Sequence, residues 1–257
     1  WDVWTTFGLA RSAAFDTDGL SSTRPIEYEV VTAADAEGMF DILTYEKGAS
    51  VVRMLEQYLG AEEFRSGIAS YLRRHAFGST ETTDLWDALE ETTGEPVRRT
   101  MEHWIFRGGH PIVAVAPTER GVHLEQQRFR YASAPHESTP AAEEDDDRPW
   151  PVPLVLSAQV DGRTVERRVL LEEPVEVDLG GPVERVQANV AGNGFYRVDL
   201  TPELRTALAA TPSDDALERF VLVDDTWAAF LADRIAIDEV LSLVRDDVAA
   251  LSPYDPN

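Results

Sequence analysis

The sequence predicts a multidomain α+β chain, and three observations carry that expectation. Apolar side chains recur at a period near 3.6 over residues 1–109, the period falls to near 2 at His110-Pro111, and the helical period returns after Thr201-Pro202. The chain is therefore expected to comprise a helical part over 1–109, a small β-sandwich over 110–200 and the first helices of a further helical region over 201–257. Its 257 residues, 43% of them hydrophobic, suffice to fill a normal core.

Each element has its own local signal. Trp4, Phe7 and Ala10 open a helix predicted to stop near Asp18-Gly19, and PIEYEVV at 25–31 alternates like a short extended piece. Thr32 is placed to cap a helix running through Met39 and Phe40. Val51, Met54, Leu55, Tyr58 and Leu59 form an apolar stripe ended by Gly60, and Phe64, Ile68, Tyr71 and Leu72 form the next, ending before Gly78. Thr82 or Thr83 is expected to cap the helix carrying Leu85, Trp86 and Leu89, which Gly94 terminates. Pro96 suits a first helical position ahead of Val97, Met101, Trp104 and Ile105.

PIVAVAP and VHLEQQRFRY, joined by TERG, then read as a hairpin. PVPLVLSAQV, TVERRVLL, VEVDL, VERVQANV and GFYRVDL read as further strands, and Gly192-Asn193-Gly194 as a turn. Residues 132–149 interrupt them with the acidic run Glu143 to Asp147, expected to be a flexible exposed loop because like charges so close repel and solvate. After Pro202, residues such as Leu204, Leu208, Leu217, Trp227, Ile235 and Leu241 lie at helical spacings. Little else in the chain could cover those faces, which implies a larger bundle or a partner.

A formal charge of −24 argues against nucleic acid or an anionic membrane as a partner, since the field repels phosphate. No apolar run approaches the roughly 20 residues of a membrane helix. Cysteine is absent, which excludes disulfides and thiolate metal sites and fits a reducing, cytoplasmic setting. The chain begins at Trp1 without methionine and reads as a piece of something longer.

Complete catalytic motifs are missing. The five histidines, His75, His103, His110, His123 and His136, include no pair four apart, as two ligands on one helical face would be, and each is expected on the surface or in a loop. There is no G-x-S-x-G elbow and no phosphate-cradling glycine loop. No residue of this chain is assigned as a metal ligand or a cofactor-binding residue.

One stretch stands out. FDILTYEKGASVVRML, residues 40–55, contains Lys47, the only lysine in the chain. At 100° per residue Tyr45 lies roughly 110° from the centre of the stripe that follows it, so it is not plainly part of that seam. Gly48 and Ala49, one turn on, have almost no side chain and could leave its phenol facing open space. A neutral phenol suits hydrogen-bonding an oxyanion, while from pattern alone a packed structural tyrosine remains the leading reading. Lys47, two positions on, points to a different face and is expected in an ion pair or a carbonyl contact.

DGLSSTRPIEYEVV and AEGMFDILTYEKGASVVRMLEQYLG resemble the M1 family of zinc aminopeptidases, the aminopeptidase N type, just downstream of their zinc site. FRSGIASYLRRHAFGSTETTDLWDAL and GEPVRRTMEHWIFRGGHPIVAV resemble the end of that family's thermolysin-like catalytic domain. GNGFYRVDL resembles the strand that closes its β-sandwich before a C-terminal helical domain. The resemblance implies that the three parts are the helical C-terminal part of the catalytic domain, the sandwich and the start of the helical domain. It implies a zinc enzyme that removes N-terminal residues from peptides with a free N-terminus, in which a zinc-bound water attacks the scissile carbonyl. Tyr45 matches the family tyrosine that stabilises the tetrahedral oxyanion. Arg24 stands where family members often have histidine, a position expected to be structural.

Neither H-E-x-x-H nor G-x-M-E-N occurs in this chain, so these 257 residues alone are expected to bind no zinc and hydrolyse nothing. The alternative is a noncatalytic module whose sandwich and helices bind a peptide or protein partner. Neither reading sets an oligomeric state.

Overall fold

The computed structural model describes residues 3–132 and 148–251. Both the acidic run of the 132–149 loop and His136 lie outside them. The chain is mixed α and β, with helices at both ends and two sheets between.

Helix α1 (Val3–Asp18) ends where its sequence predicts. Helix α2 (Ala33–Gly38) starts from a reciprocal cap: Asp35 N–H donates to Thr32 Oγ1 at 3.2 Å, and the Asp35 carboxylate accepts from Thr32 N–H at 2.7 Å. PIEYEVV, between α1 and α2, forms no strand. A π-helical turn (Leu43–Lys47) then runs directly into α3 (Gly48–Leu59), which buries the whole expected stripe from Val51 to Leu59. Gly60 ends α3 at φ 96°, a left-handed value that only glycine adopts readily.

Helices α4 (Ala61–Arg74), α5 (Thr82–Thr93) and α6 (Val97–Ile105) follow. The stripe expected on α4 is not a core stripe: only Gly67 of that helix is buried, and Leu72 is exposed. Phe64 packs on the core only partly buried, and α4 comes closest to α5 at Gly67, where a Cβ would stand 2.6 Å from Leu89. The cap of α5 is Glu81 rather than Thr82 or Thr83, because Asp84 at the third helical position accepts from Glu81 N–H at 2.8 Å. Pro96 sits one residue outside α6, as its cap.

The strands are β1 (Pro111–Thr118), β2 (Gly121–Arg128), β3 (Val152–Val160), β4 (Arg163–Leu171), β5 (Val175–Asp178), β6 (Arg185–Gln187) and β7 (Arg197–Leu200). One sheet has the order β5-β2-β1-β7, with β7 parallel to β1, and the other the order β4-β3-β6. The β1–β2 hairpin pairs Pro111 with Arg128 through to Thr118 with Gly121. Val113, Val115, Val122 and Leu124 from the first sheet and Leu154, Leu156 and Ala158 from the second enter one buried cluster. Val51, Leu55, Leu89, Met101 and Trp104 from α3, α5 and α6 belong to the same cluster. The sheets and the preceding helices therefore share a core.

Phe195, just before β7, is a hub of that core. It is fully buried, stacks on Phe15 of α1 at 4.2 Å between centroids, and meets Trp104 edge-on at 6.5 Å. Gln126 links the two sheets, its amide donating to Trp150 O at 2.6 Å and Leu171 O at 3.0 Å and accepting from Trp150 N–H at 2.9 Å.

Helices α7 (Pro202–Ala210), α8 (Ala216–Leu231) and α9 (Ile237–Leu251) close the described chain. Arg197 of β7 fastens α8 by pairing with Asp224 and, at 3.2 Å, with Asp225, while its guanidinium lies 4.2 Å from the Phe15 ring centroid. As expected of this region, apolar surface stays open: Trp227 is 44% exposed and Leu241 56%. No described helix is long and apolar enough to cross a membrane.

Truncating Phe195 to alanine removes the ring that α1, α6 and β7 share, so Phe195→Ala should cost about 3–5 kcal/mol. Urea unfolding followed by tryptophan fluorescence measures this, and an unchanged midpoint would contradict the hub assignment.

Candidate functional site

Tyr45 lies in the π-helical turn, and that turn explains its direction. The extra residue widens the helix, so Gly48 N–H reaches back to Leu43 O, five positions earlier. Within these five residues Leu43 and Lys47 point inward and are buried, whereas Tyr45 points outward and is 54% exposed. Its ring lies 6.4 Å from that of Phe40, itself 75% exposed. No described residue hydrogen-bonds the Tyr45 hydroxyl, which leaves it available as a donor to something from solution. Tyr45 is not a packed core residue.

The outer end of the turn is held by Asp41 and Arg24. Asp41 Oδ1 accepts from Leu43 N–H and Thr44 N–H, each at 3.0 Å, and satisfies donors that a helix start would otherwise leave unpaired. Arg24 pairs with that carboxylate at 2.6 Å and donates to Thr44 Oγ1 at 3.3 Å, Gly38 O at 3.1 Å and Pro25 O at 2.7 Å. Its guanidinium also lies over the Tyr28 ring at 4.8 Å. Arg24 is thus a structural residue, as expected.

The inner end is held by Lys47, which is fully buried. Its ammonium is 2.9 Å from Asp18 Oδ2 and donates to the carbonyls of Arg107 at 3.3 Å and Gly109 at 3.1 Å. These three acceptors use the three donors of an ammonium. The expected ion pair and carbonyl contacts of Lys47 are both present.

Asp18, at the end of α1, collects further donors: Thr23 Oγ1 at 2.6 Å, Gly109 N–H at 2.9 Å and His110 Nδ1 at 3.3 Å. Burial by itself would raise the Asp18 pKa. The Lys47 charge and the hydrogen bond from His110 overcome it and hold the carboxyl well below the usual range.

His110 lies in the link before β1, a loop position as expected, yet it is not at the surface. It is fully buried, stacked on Phe129 at 5.0 Å between centroids and edge-on to Phe15 at 4.8 Å. Burial is the main influence on its imidazole and lowers its pKa to about 4, although Asp18 pulls the other way. Protonation would place an N–H on Nε2, which has no partner among the described residues.

Gly48 also departs from expectation. A Cβ there would meet Ile26 at 3.8 Å, an ordinary contact, and would not meet the Tyr45 phenol. Gly48 is therefore not what frees the phenol; Tyr45 stands on the outward side of the π-helical turn.

Tyr45, Lys47 and Arg24 are visible in the sequence, whereas Asp18, Asp41 and His110 are not marked there as their partners. The single lysine was a signal, since an isolated residue type marks a position of unusual chemistry. Asp18 read only as a helix end and His110 only as a change of period, and nothing local connects residues 29 and 92 positions apart that share one carboxylate. Among the described residues no group of three or more His, Asp or Glu side chains could hold a metal ion, so these residues do not fit a zinc site.

Residues 1–104, which carry this whole turn, match the model of the peptidase family M1 domain. The chain is 34% identical over 263 residues to Aminopeptidase M1 of Arabidopsis thaliana, covering 95% of this chain and 28% of that protein. The chain belongs to the M1 peptidase family. Its similarity to Aminopeptidase M1-D of Oryza sativa subsp. japonica is 32% over 273 residues, covering 98% of this chain and 30% of that one. Tricorn protease-interacting factor F2 of Thermoplasma acidophilum is 33% identical over 247 residues, 95% of this chain and 29% of the factor. This M1 family chain is matched along nearly its whole length, yet it spans under a third of the length of each of those relatives.

The folded-state pKa of His110 lies below its unfolded value of about 6.5. Its contribution to stability is therefore complete above about pH 6.5 and falls as pH drops toward 4, by up to about 1.4 kcal/mol per pH unit. An NMR titration should show the His110 ring neutral down to about pH 4. A ring that titrates near 6.5 would contradict this assignment.

Proposed function

We propose that these residues form part of a metallo-aminopeptidase that removes N-terminal residues from peptides, with Tyr45 donating its phenol to the oxyanion of the tetrahedral intermediate. The observation that carries the reading is the outward Tyr45 on a π-helical turn, its hydroxyl unused by any described residue in a segment that matches the M1 domain. A fixed neutral donor aimed at a developing charge loses little on reorganising, which is why such groups act strongly on the transition state. Unwound or π-helical turns recur at functional sites because they aim one side chain out of an otherwise regular helix.

In this reading residues 1–109 are the helical end of a thermolysin-like catalytic domain, 110–200 a β-sandwich, and 201–257 the first helices of a C-terminal helical domain. Zinc would supply Lewis-acid chemistry in the complete enzyme, held by residues that this chain does not contain. This chain's own residues supply the oxyanion donor and the frame that holds it. A cytoplasmic setting accords with a sequence free of cysteine.

A second reading, a noncatalytic module for a peptide or protein partner, draws on the open apolar surface at Trp227 and Leu241. One relative is itself named as an interacting factor of the tricorn protease.

In the complete enzyme Tyr45→Phe should lower kcat by roughly 10²-fold or more, with a smaller change in KM, the effect of removing one oxyanion donor. Unchanged turnover would return Tyr45 to a surface role. The 257 residues alone should retain no stoichiometric zinc after dialysis and should not cleave an aminoacyl-anilide, and a tightly held zinc ion would overturn that expectation.

A further inference from the structure

We infer that Lys47 is a positioning residue for Tyr45: with Asp18 inside and the Asp41–Arg24 pair outside, it clamps the π-helical turn in the register that aims the phenol outward. This rests on the proposed role of Tyr45 as the oxyanion donor.

The geometry is that of a clamp with two jaws. On the inner side one buried ammonium binds three oxygens from two separate places in the fold, the end of α1 and the link between α6 and β1. On the outer side Asp41 caps Leu43 and Thr44, and Arg24 ties that cap to the loop before α2. The turn they hold is only five residues long, Leu43–Lys47, and Tyr45 is its central one.

Register is what the clamp controls. A π-helical turn carries one residue more than the α-helix would place in the same rise, and it is intrinsically the poorer arrangement of backbone hydrogen bonds. Without an outside constraint the segment should relax to a regular α-helix continuous with α3. Near residue 45 that relaxation rotates side chains by on the order of 100°, the angular step of one helical residue. Lys47 opposes it, because a buried ammonium that left its oxygens would find no water to replace them. Loss of the clamp therefore changes where the phenol points without removing the phenol.

A residue that acts through Tyr45 should lose its effect when the phenol is already gone, which a double-mutant cycle on the full-length enzyme can detect. Lys47→Met should lower kcat by about 10- to 100-fold, the scale of a misplaced catalytic group, with KM within about threefold. In a Tyr45→Phe background the same substitution should lower kcat no further. A loss of equal size in both backgrounds would overturn the proposal and make Lys47 a general structural residue. If Tyr45→Phe itself leaves kcat unchanged, the reading of Tyr45 as donor fails, and the clamp is then judged by the label below.

Lys47→Met strands the buried Asp18 carboxylate, so Asp41→Asn, at the half-exposed outer jaw, serves as the second variant. Fluorotyrosine at position 45 gives a readout free of activity. The folded wild type should show one fluorine resonance, and Asp41→Asn should shift or split it. A single unshifted line in folded Asp41→Asn, or in folded Lys47→Met, would overturn the clamp whatever the enzyme assay reports.

Discussion

The pairing of Lys47 with Asp18 is the constraint on which the rest of the helical part depends. Both side chains are fully buried, and taking two such charges out of water costs several kcal/mol each before their attraction is counted. That cost is offset only because every polar position is used. The ammonium has three oxygens, and the carboxylate has Lys47, Thr23, Gly109 and His110 as donors. Removing either charge alone would leave the other stranded, a change typically worth about 3–5 kcal/mol. The pair therefore fixes three segments relative to one another: the end of α1, the π-helical turn, and the backbone at 107–110 that leads into β1.

Aromatic packing extends this arrangement outward. Phe15 lies one turn before Asp18 and stacks on Phe195, which reaches Trp104 and His110 in turn. Arg197 covers the other side of Phe15 and pairs with Asp224 and Asp225 of α8. Ser12 Oγ, also on α1, donates to Asp224 at 2.8 Å. Through α1, then, the buried ion pair is connected by direct contacts to the sheets and to the last helices. Polar groups within this joint specify which surfaces meet, and the rings supply the apolar area that makes the meeting favourable.

The exposed side of the turn has the opposite character. Phe40 and Tyr45, whose rings lie 6.4 Å apart, are both exposed there, and the hydroxyl of Tyr45 faces outward with them. The same turn thus presents a packed interior, where Leu43 and Lys47 are buried, and an open exterior, where Tyr45 stands exposed.

The fold was legible in the sequence wherever local physics decides it. The α3 stripe, the Thr32 cap and the stop at Gly60 follow from periodicity and backbone preference within a few residues, as do the seven strands. Sequence by itself also singled out Tyr45, by resemblance, and Lys47, as the sole lysine. Tertiary structure alone decided the rest. On α4 the closest approach to α5 is made at Gly67, against Leu89, and a contact made by a missing side chain leaves no apolar signature. His110 is buried because Phe15, Phe129 and Phe195 converge on it from distant parts of the chain. The direction of Tyr45 depends on a π-helical register, and that register is held by oxygens from residues 18, 107 and 109, none of which lies near the turn in sequence. Propensity and period act over a few residues, whereas a buried charge chooses its partners only after the chain has folded back on itself.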